Sequence, residues 1–295
     1  MAHSIRKDTE ILGLPFGTTE VKQVLYADDI TLLVQDIESI RRLERVFDRF
    51  KQVSGLSLNK DKTKLLQLGS MQGEVYDFPF GQTVNALKIL GVYFTLDLEI
   101  KENMNYKEIL SKIKKLLTWW KQRDLTLMGK IQLLKTFIYS KLIYIASLTP
   151  VPGWVYNELE TVVWDFIWRG KPKIKKTVLM LDYKQGGLKL MHFPSLINAQ
   201  RVMWVKRLLY GKKEMKWKQY FEYSTKHVGG KFIFCCNYSI DLLNFSLPEF
   251  YIDLFRTWTE TREFRGNYDN IRKEILFNNK KIRFEERPFI VKTCT

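Results

Sequence analysis

A chain of 295 residues with 45% hydrophobic and 14% aromatic content carries enough apolar side chain for one or two packed domains, which excludes disorder throughout. A formal charge of +16 points to an anionic partner, either nucleic acid or an acidic membrane surface. The charge is unevenly spread: residues 1–100 hold 12 Lys and Arg against 14 Asp and Glu, residues 101–150 hold 10 against 3, and residues 171–218 hold 13 against 2.

In chain order, Val21–Tyr26 and Ile30–Val34 are short β-prone runs separated by Ala27-Asp28-Asp29, the pattern of a hairpin with two carboxylates at its tip. Asp36 is placed to cap a helix with Ile37, Ile40, Leu43, Phe47, Phe50 and Val53 at three- and four-residue steps, closed by Gly55. Further strands are expected at Thr63–Leu68 and, around Gly91, at Leu87–Phe94. From about Asn103 the pattern turns helical. Asn105 and Glu108 form a capping-box-like start, with Ile109, Ile113, Leu116 and Trp120 on one face. Thr126 caps the next helix, whose buried stripe is Ile131, Leu134, Ile138, Leu142 and Ile145, and Pro150 and Pro152 end it. A third helix spans about Val155–Trp168, stopped by Gly170. A basic linker, Lys171–Lys176, leads to an extended segment turning at Gly186-Gly187, a helix at about Ser195–Leu209, and a less regular tail with a helix at Leu247–Arg262. The fold class expected is α+β in residues 1–98, helical in 99–211 and irregular in 212–295.

Two neighbouring aspartates on a rigid apolar hairpin are costly without a cation beside them. Oxygen-only donors of that density suit Mg²⁺, which takes carboxylate, phosphate and water, and phosphoryl transfer by two metal ions is the reaction that uses them. Taken alone, the same residues describe a polar turn, for which Asp is favoured. The neighbours change the balance. Leu25-Tyr26-Ala27-Asp28-Asp29, then Ser54-Gly55-Leu56-Ser57-Leu58-Asn59 with Lys62-Thr63, then Leu87-Lys88-Ile89-Leu90-Gly91-Val92 resemble, in order and spacing, the palm motifs of LINE-type (non-LTR) retrotransposon reverse transcriptases. Leu125-Thr126-Leu127-Met128-Gly129-Lys130, Gly186-Gly187-Leu188 and Phe277-Asn278-Asn279 resemble the thumb side and C-terminal part of the same group.

The resemblance implies a partial palm followed by a helical thumb, and RNA-directed DNA polymerase as the parent activity. It makes Asp28 and Asp29 ligands of a two-Mg²⁺ site, places Tyr26 beneath the primer end and gives Gly91 to a primer-gripping strand. Lys62 then meets the triphosphate or protonates the leaving pyrophosphate. A solvated Lys62 and an ordinary bulge at Gly91 are the alternatives. Lys112, Lys115, Arg123, Lys130, Lys173, Lys175 and Lys176 are expected to contact phosphates of an RNA template, DNA primer or RNA–DNA hybrid, with a deoxynucleoside triphosphate as co-substrate in the parent enzyme. Trp119, Trp154, Trp164, Trp168 and Trp204 either stack on bases or, as their place among apolar stripes indicates, belong to the core.

The family's third carboxylate and its fingers would precede Tyr26, and neither is found in the 25 residues before it. The expectation is a fragment inactive by itself; a non-catalytic RNA- or DNA-binding protein and a structural protein with an ordinary Asp-Asp turn are the other readings. Cys235, Cys236 and Cys294 lack zinc-ligand spacing and suit a reducing compartment. The polar start and the interruption of Phe137–Val151 by Lys141 lead to the expectation of a nuclear or cytoplasmic protein, neither secreted nor membrane-spanning.

Overall fold

The computed structural model describes residues 1–17, 19–69, 77–78, 81–211, 215–226, 229–235 and 247–261, with the backbone of 283–284 and 287–288. Phe277-Asn278-Asn279, Cys236 and Cys294 lie outside the described residues. The chain divides into two compact units, Met1–Asn105 and Tyr106–Thr295.

The first unit mixes helix and strand. Helix α1 (Ala2–Lys7) is followed by β1 (Leu14–Phe16) paired antiparallel with β2 (Thr19–Val21), then by the hairpin β3 (Gln23–Tyr26) and β4 (Asp29–Leu32). Helix α2 (Ile37–Ser54) starts and stops where its caps require: the Asp36 carboxylate accepts from the Ser39 N–H at 2.7 Å, and Gly55 ends it with φ 72°. Its buried face carries Ile40, Leu43 and Phe47, of which Leu43 and Phe47 join Ile5 and Ile11 in a small core. The stripe stops short of the expected Val53, which is 84% exposed because the last turn of α2 projects beyond that core. Strand β5 (Lys64–Leu65) pairs parallel with β6 (Gln82–Thr83), and β7 (Ala86–Ile89) pairs antiparallel with β8 (Val92–Thr95). Among the described residues each pair stands as its own two-stranded ladder.

The long helix α3 (Leu98–Lys121) begins two turns earlier than Asn105 and Glu108 indicate. Asp97 is its cap, its carboxylate accepting from the Ile100 N–H at 3.0 Å. Asn105 is instead buried with its amide laid against β8: Oδ1 accepts from the Tyr93 N–H at 2.9 Å and Nδ2 donates to the Tyr93 carbonyl at 3.0 Å. A side-chain amide here completes a strand's hydrogen bonding, which local spacing does not encode.

In the second unit, Tyr106, Leu110, Ile113 and Leu117 of α3 enter a core shared with α4 (Leu127–Leu133), a π-helical segment (Leu134–Tyr139), α5 (Ser140–Leu148) and α6 (Gly153–Trp168). Thr126 caps α4 as expected, its hydroxyl accepting from the Gly129 N–H at 3.1 Å, and all five stripe residues from Ile131 to Ile145 are buried. The run Leu127–Leu148 has the length and mean hydropathy, 1.2, to cross a membrane, and 44% of its window is buried in this core. After α7 (Lys176–Met180) the chain reverses. Gly187 is required there, since a Cβ on it would lie 2.1 Å from the Leu181 carbonyl oxygen.

Helix α8 (Phe193–Tyr210) is the spine of this unit. Phe193 and Ile197 enter the first core, whereas Val205 and Leu208 enter a second core with α9 (Lys216–Thr225) and α10 (Glu249–Thr261). Two short strands, β9 (Arg283–Phe284) and β10 (Arg287–Pro288), pair antiparallel near the C-terminus. Burial, reinforced by the neighbouring Tyr220 phenol, pushes the Tyr251 hydroxyl of the second core up to about 12. A phenol with a raised folded-state pKa contributes stability that is complete below its unfolded value near 10 and lost as pH rises through the folded value. The urea midpoint is therefore expected to fall between about pH 10 and 12, and Tyr251→Phe to reduce the fall; unequal m-values or an unchanged slope would count against this assignment.

Candidate active site and nucleic-acid interface

The hairpin β3–β4 positions the two aspartates. Its register pairs Gln23 with Leu32 and ends with Tyr26 opposite Asp29, leaving Ala27-Asp28 as a two-residue turn. Such turns need a left-handed first or second residue to follow the strand twist, and Ala27 supplies it with φ 51°. Consecutive strand residues face opposite sides of a sheet, but Asp28 lies in the bend and Asp29 opens β4, so the alternation does not yet govern both. Both carboxylates are exposed, and neither has a hydrogen-bond or ion-pair partner among the described residues. Tyr26 is 66% exposed beside them. Val24, Leu25 and Ile30 of the same hairpin are also exposed, so an apolar ribbon leads up to the acidic tip.

The other candidates in this unit are held separately. Lys62 sits on a turn in which the Asn59 side-chain oxygen accepts from the backbone N–H groups of Asp61 and Lys62 at 3.0 and 3.2 Å. Its ammonium is exposed, and the strand that follows pairs with β6 rather than with β3 or β4. Gly91 lies at the tip of β7–β8, where Leu90 and Gly91 both have positive φ, 47° and 87°. That is the geometry of a type I′ hairpin turn, and it accounts for a glycine there.

The basic residues of the second unit divide into paired and free. The acidic side chains of α6 face its neighbours: Glu158 pairs with Lys114, Glu160 with Lys176 and Asp165 with Lys121. Glu160 accepts from Lys176, its carboxyl held below the usual range chiefly by that bond despite its partial burial. Lys112 pairs with Glu108 one turn away. Lys130 donates to the Ile167 carbonyl at 2.7 Å, and its pKa is lowered by burial first and by Arg169 and Lys121 next. Lys115, Lys173 and Lys175 are exposed and have no ion-pair partner among the described residues. Arg123 is exposed, with its guanidinium 4.8 Å from the Trp119 ring centroid and 5.4 Å from that of Trp120.

Residue spacing missed one contributor. Arg169, left-handed at the end of α6 with φ 50°, donates through Nη2 to the carbonyls of Lys121 and Arg123, fastening the turn after α3. Trp119 is 51% exposed, whereas Trp154, Trp164 and Trp168 pack on the first core and Trp204 on the second. Its place one residue before a packed Trp120 is the signal that two adjacent bulky rings on a helix cannot both face inward.

No family model matches the chain. It is similar to the Transposon TX1 uncharacterized 149 kDa protein of Xenopus laevis, at 24% identity over 285 residues. The similarity takes in 91% of this chain and 22% of that protein, so the chain spans about a fifth of the relative's length. Similarity over that extent supports a transposon origin for this chain.

Proposed function

We propose that this chain carries part of the catalytic palm, and the nucleic-acid-binding helices, of an RNA-directed DNA polymerase from a LINE-type retrotransposon. The observation that carries the reading is the Tyr26-Ala27-Asp28-Asp29 hairpin, a tight turn presenting two partner-free carboxylates on a strand pair. The similarity to a transposon protein supports it.

The donor set fits Mg²⁺, which binds through one or two carboxylates and leaves its other positions to phosphate and water. Bound there, such an ion would polarise a phosphoryl oxygen and lower the pKa of an attacking primer hydroxyl. The chain's own part is to hold Asp28 and Asp29 by backbone turn geometry, with Tyr26 beside them for the primer terminus. The family uses a third carboxylate, and Asp28 and Asp29 by themselves offer two cations about 3.5–4 Å apart no bridging ligand to fix that spacing. The 295-residue chain by itself is accordingly proposed not to polymerise. Primer extension on a primed RNA template with Mg²⁺ or Mn²⁺ tests this, and robust extension abolished by Asp28→Ala would overturn it.

Binding to an RNA–DNA hybrid follows from the free basic residues. Each phosphate neutralised adds about 0.9 to the slope of log affinity against log salt. Removing Lys173 and Lys175 together is expected to reduce that slope by about 2 and to weaken hybrids of different sequence equally. An unchanged slope in a salt titration would take both residues out of the interface.

A further inference from the structure

The second unit exposes an aromatic surface that phosphate contacts alone do not use. All eight tryptophans of the chain lie among the described residues, and Trp119 is the one that is more exposed than buried. It stands exposed on α3 with Lys115 one turn before it and Arg123 in the bend just past the helix end. Beside it, Trp120 stacks on Phe137 at 6.5 Å and 25° between ring planes, and meets Trp119 edge-on at 5.5 Å.

Phe137 is 49% exposed although its chain neighbours Ile138 and Tyr139 are buried. It lies in the π-helical segment Leu134–Tyr139, whose turn is wider than that of an α-helix, on the outward side with the exposed Thr136 and Ser140. Wide turns of this kind occur frequently at functional sites. The wall of the surface is rigid: Arg123 lies over both indoles, and its carbonyl and that of Lys121 accept from Arg169. Between Glu108 and Asp124 the sequence has no acid and five basic residues, Lys112, Lys114, Lys115, Lys121 and Arg123.

We propose that Trp119 and Phe137, bordered by Arg123 and Lys115, form a stacking ledge for unpaired bases of single-stranded nucleic acid. Exposed aromatic faces bind bases only when those faces are free, and bases paired within a duplex are not. The flanking cations meet the phosphates on either side of a stacked base. The inference rests on the reading of this chain as a nucleic-acid-binding protein, and it specifies a strand without a partner as the occupant.

The test uses the full 295-residue chain and fluorescence anisotropy with three probes of equal length: a mixed-sequence single-stranded RNA, the same length carrying abasic sites throughout its middle third, and a blunt RNA–DNA hybrid. Trp119→Ala is expected to weaken single-strand binding about tenfold, within the range that alanine substitution of stacking residues gives, and to change hybrid binding less than about threefold. Trp119→Phe restores most of the loss, and the abasic probe binds the wild-type chain as weakly as the intact probe binds Trp119→Ala. Phe137→Ala gives the same pattern on a second helix, with far-UV circular dichroism of both variants matching the wild type. Equal single-strand affinity of wild type and Trp119→Ala, with binding still salt-dependent, overturns the ledge and leaves the nucleic-acid reading standing. Failure of all three probes to bind overturns both. Binding of phosphatidylserine vesicles that Trp119→Ala abolishes, while RNA binding stays intact, assigns the surface to an acidic membrane and also overturns the ledge.

Discussion

Asp28→Ala is expected to lower RNA-templated DNA synthesis by about three orders of magnitude or more, the loss that follows when a metal supplying several kcal/mol of transition-state stabilisation loses a ligand. The assay is a chimera in which this chain follows the fingers and first palm strand of an active LINE-type reverse transcriptase, tested by extension of a DNA primer on an RNA template in Mg²⁺. Placing the carboxylate in a two-residue turn makes the substitution clean. Asp28 pairs with no strand partner, and Ala27 rather than Asp28 supplies the left-handed residue. Loss of the side chain therefore removes the proposed ligand and leaves the hairpin. Asp29→Asn, at the first paired position of β4, keeps one oxygen donor and is expected to cost less. Equal extension by the Asp28→Ala and unsubstituted chimeras would show that the tip is a polar turn and nothing more.

What the sequence disclosed was local. Helix α2 is bounded by its own cap and its own glycine, so Asp36 and Gly55 suffice to find both ends. The hairpin β3–β4 follows from two β-prone runs about Ala27-Asp28-Asp29, though Asp29 proves to belong to β4, and the stripe of α4 and α5 follows from its spacing. What stayed hidden was set by distant partners. Asn105 has the look of a helix cap and is used as a strand partner for Tyr93. The π-helical turn leaves no mark because the α-helical spacing of the buried stripe from Ile131 to Ile145 runs through it unbroken. The basic surplus along the chain is partly answered in space for a related reason. Lys114, Lys121 and Lys176 are counted as free charges along the chain, yet α6 sets Glu158, Asp165 and Glu160 against them in space. The free cations are fewer than the composition implies, and Lys115, Arg123, Lys173 and Lys175 are among those exposed without an ion-pair partner among the described residues.

Arg201 is the extreme case of a cation diverted to structure, and Asp253→Ala is expected to cost about 3–5 kcal/mol by leaving it buried without a counter-charge. Arg201 is 0% exposed on α8, at the junction between the two cores. Its Nε donates to Asp253 Oδ2 on α10 at 2.6 Å, and its Nη2 donates to the Thr149 carbonyl, just past α5, at 2.6 Å. The Thr149 hydroxyl lies 2.9 Å from the Tyr106 hydroxyl, so a single network ties α3, α5, α8 and α10 together. Trp204, one turn along α8, donates to the Ser147 carbonyl at 2.9 Å and helps satisfy carbonyls that a helix end leaves open. The third guanidinium nitrogen, Nη1, is buried with no hydrogen-bond partner among the described residues, and the Phe250 ring 5.1 Å from the guanidinium only partly offsets that cost. The network therefore specifies how the helices meet at a cost in stability. It follows that replacing both charges, Arg201→Met with Asp253→Leu, recovers most of what Asp253→Ala loses. Urea unfolding of the two variants and the wild type decides it: a loss below about 1 kcal/mol for Asp253→Ala, or a double variant less stable than the single one, would show that solvent already screens this pair.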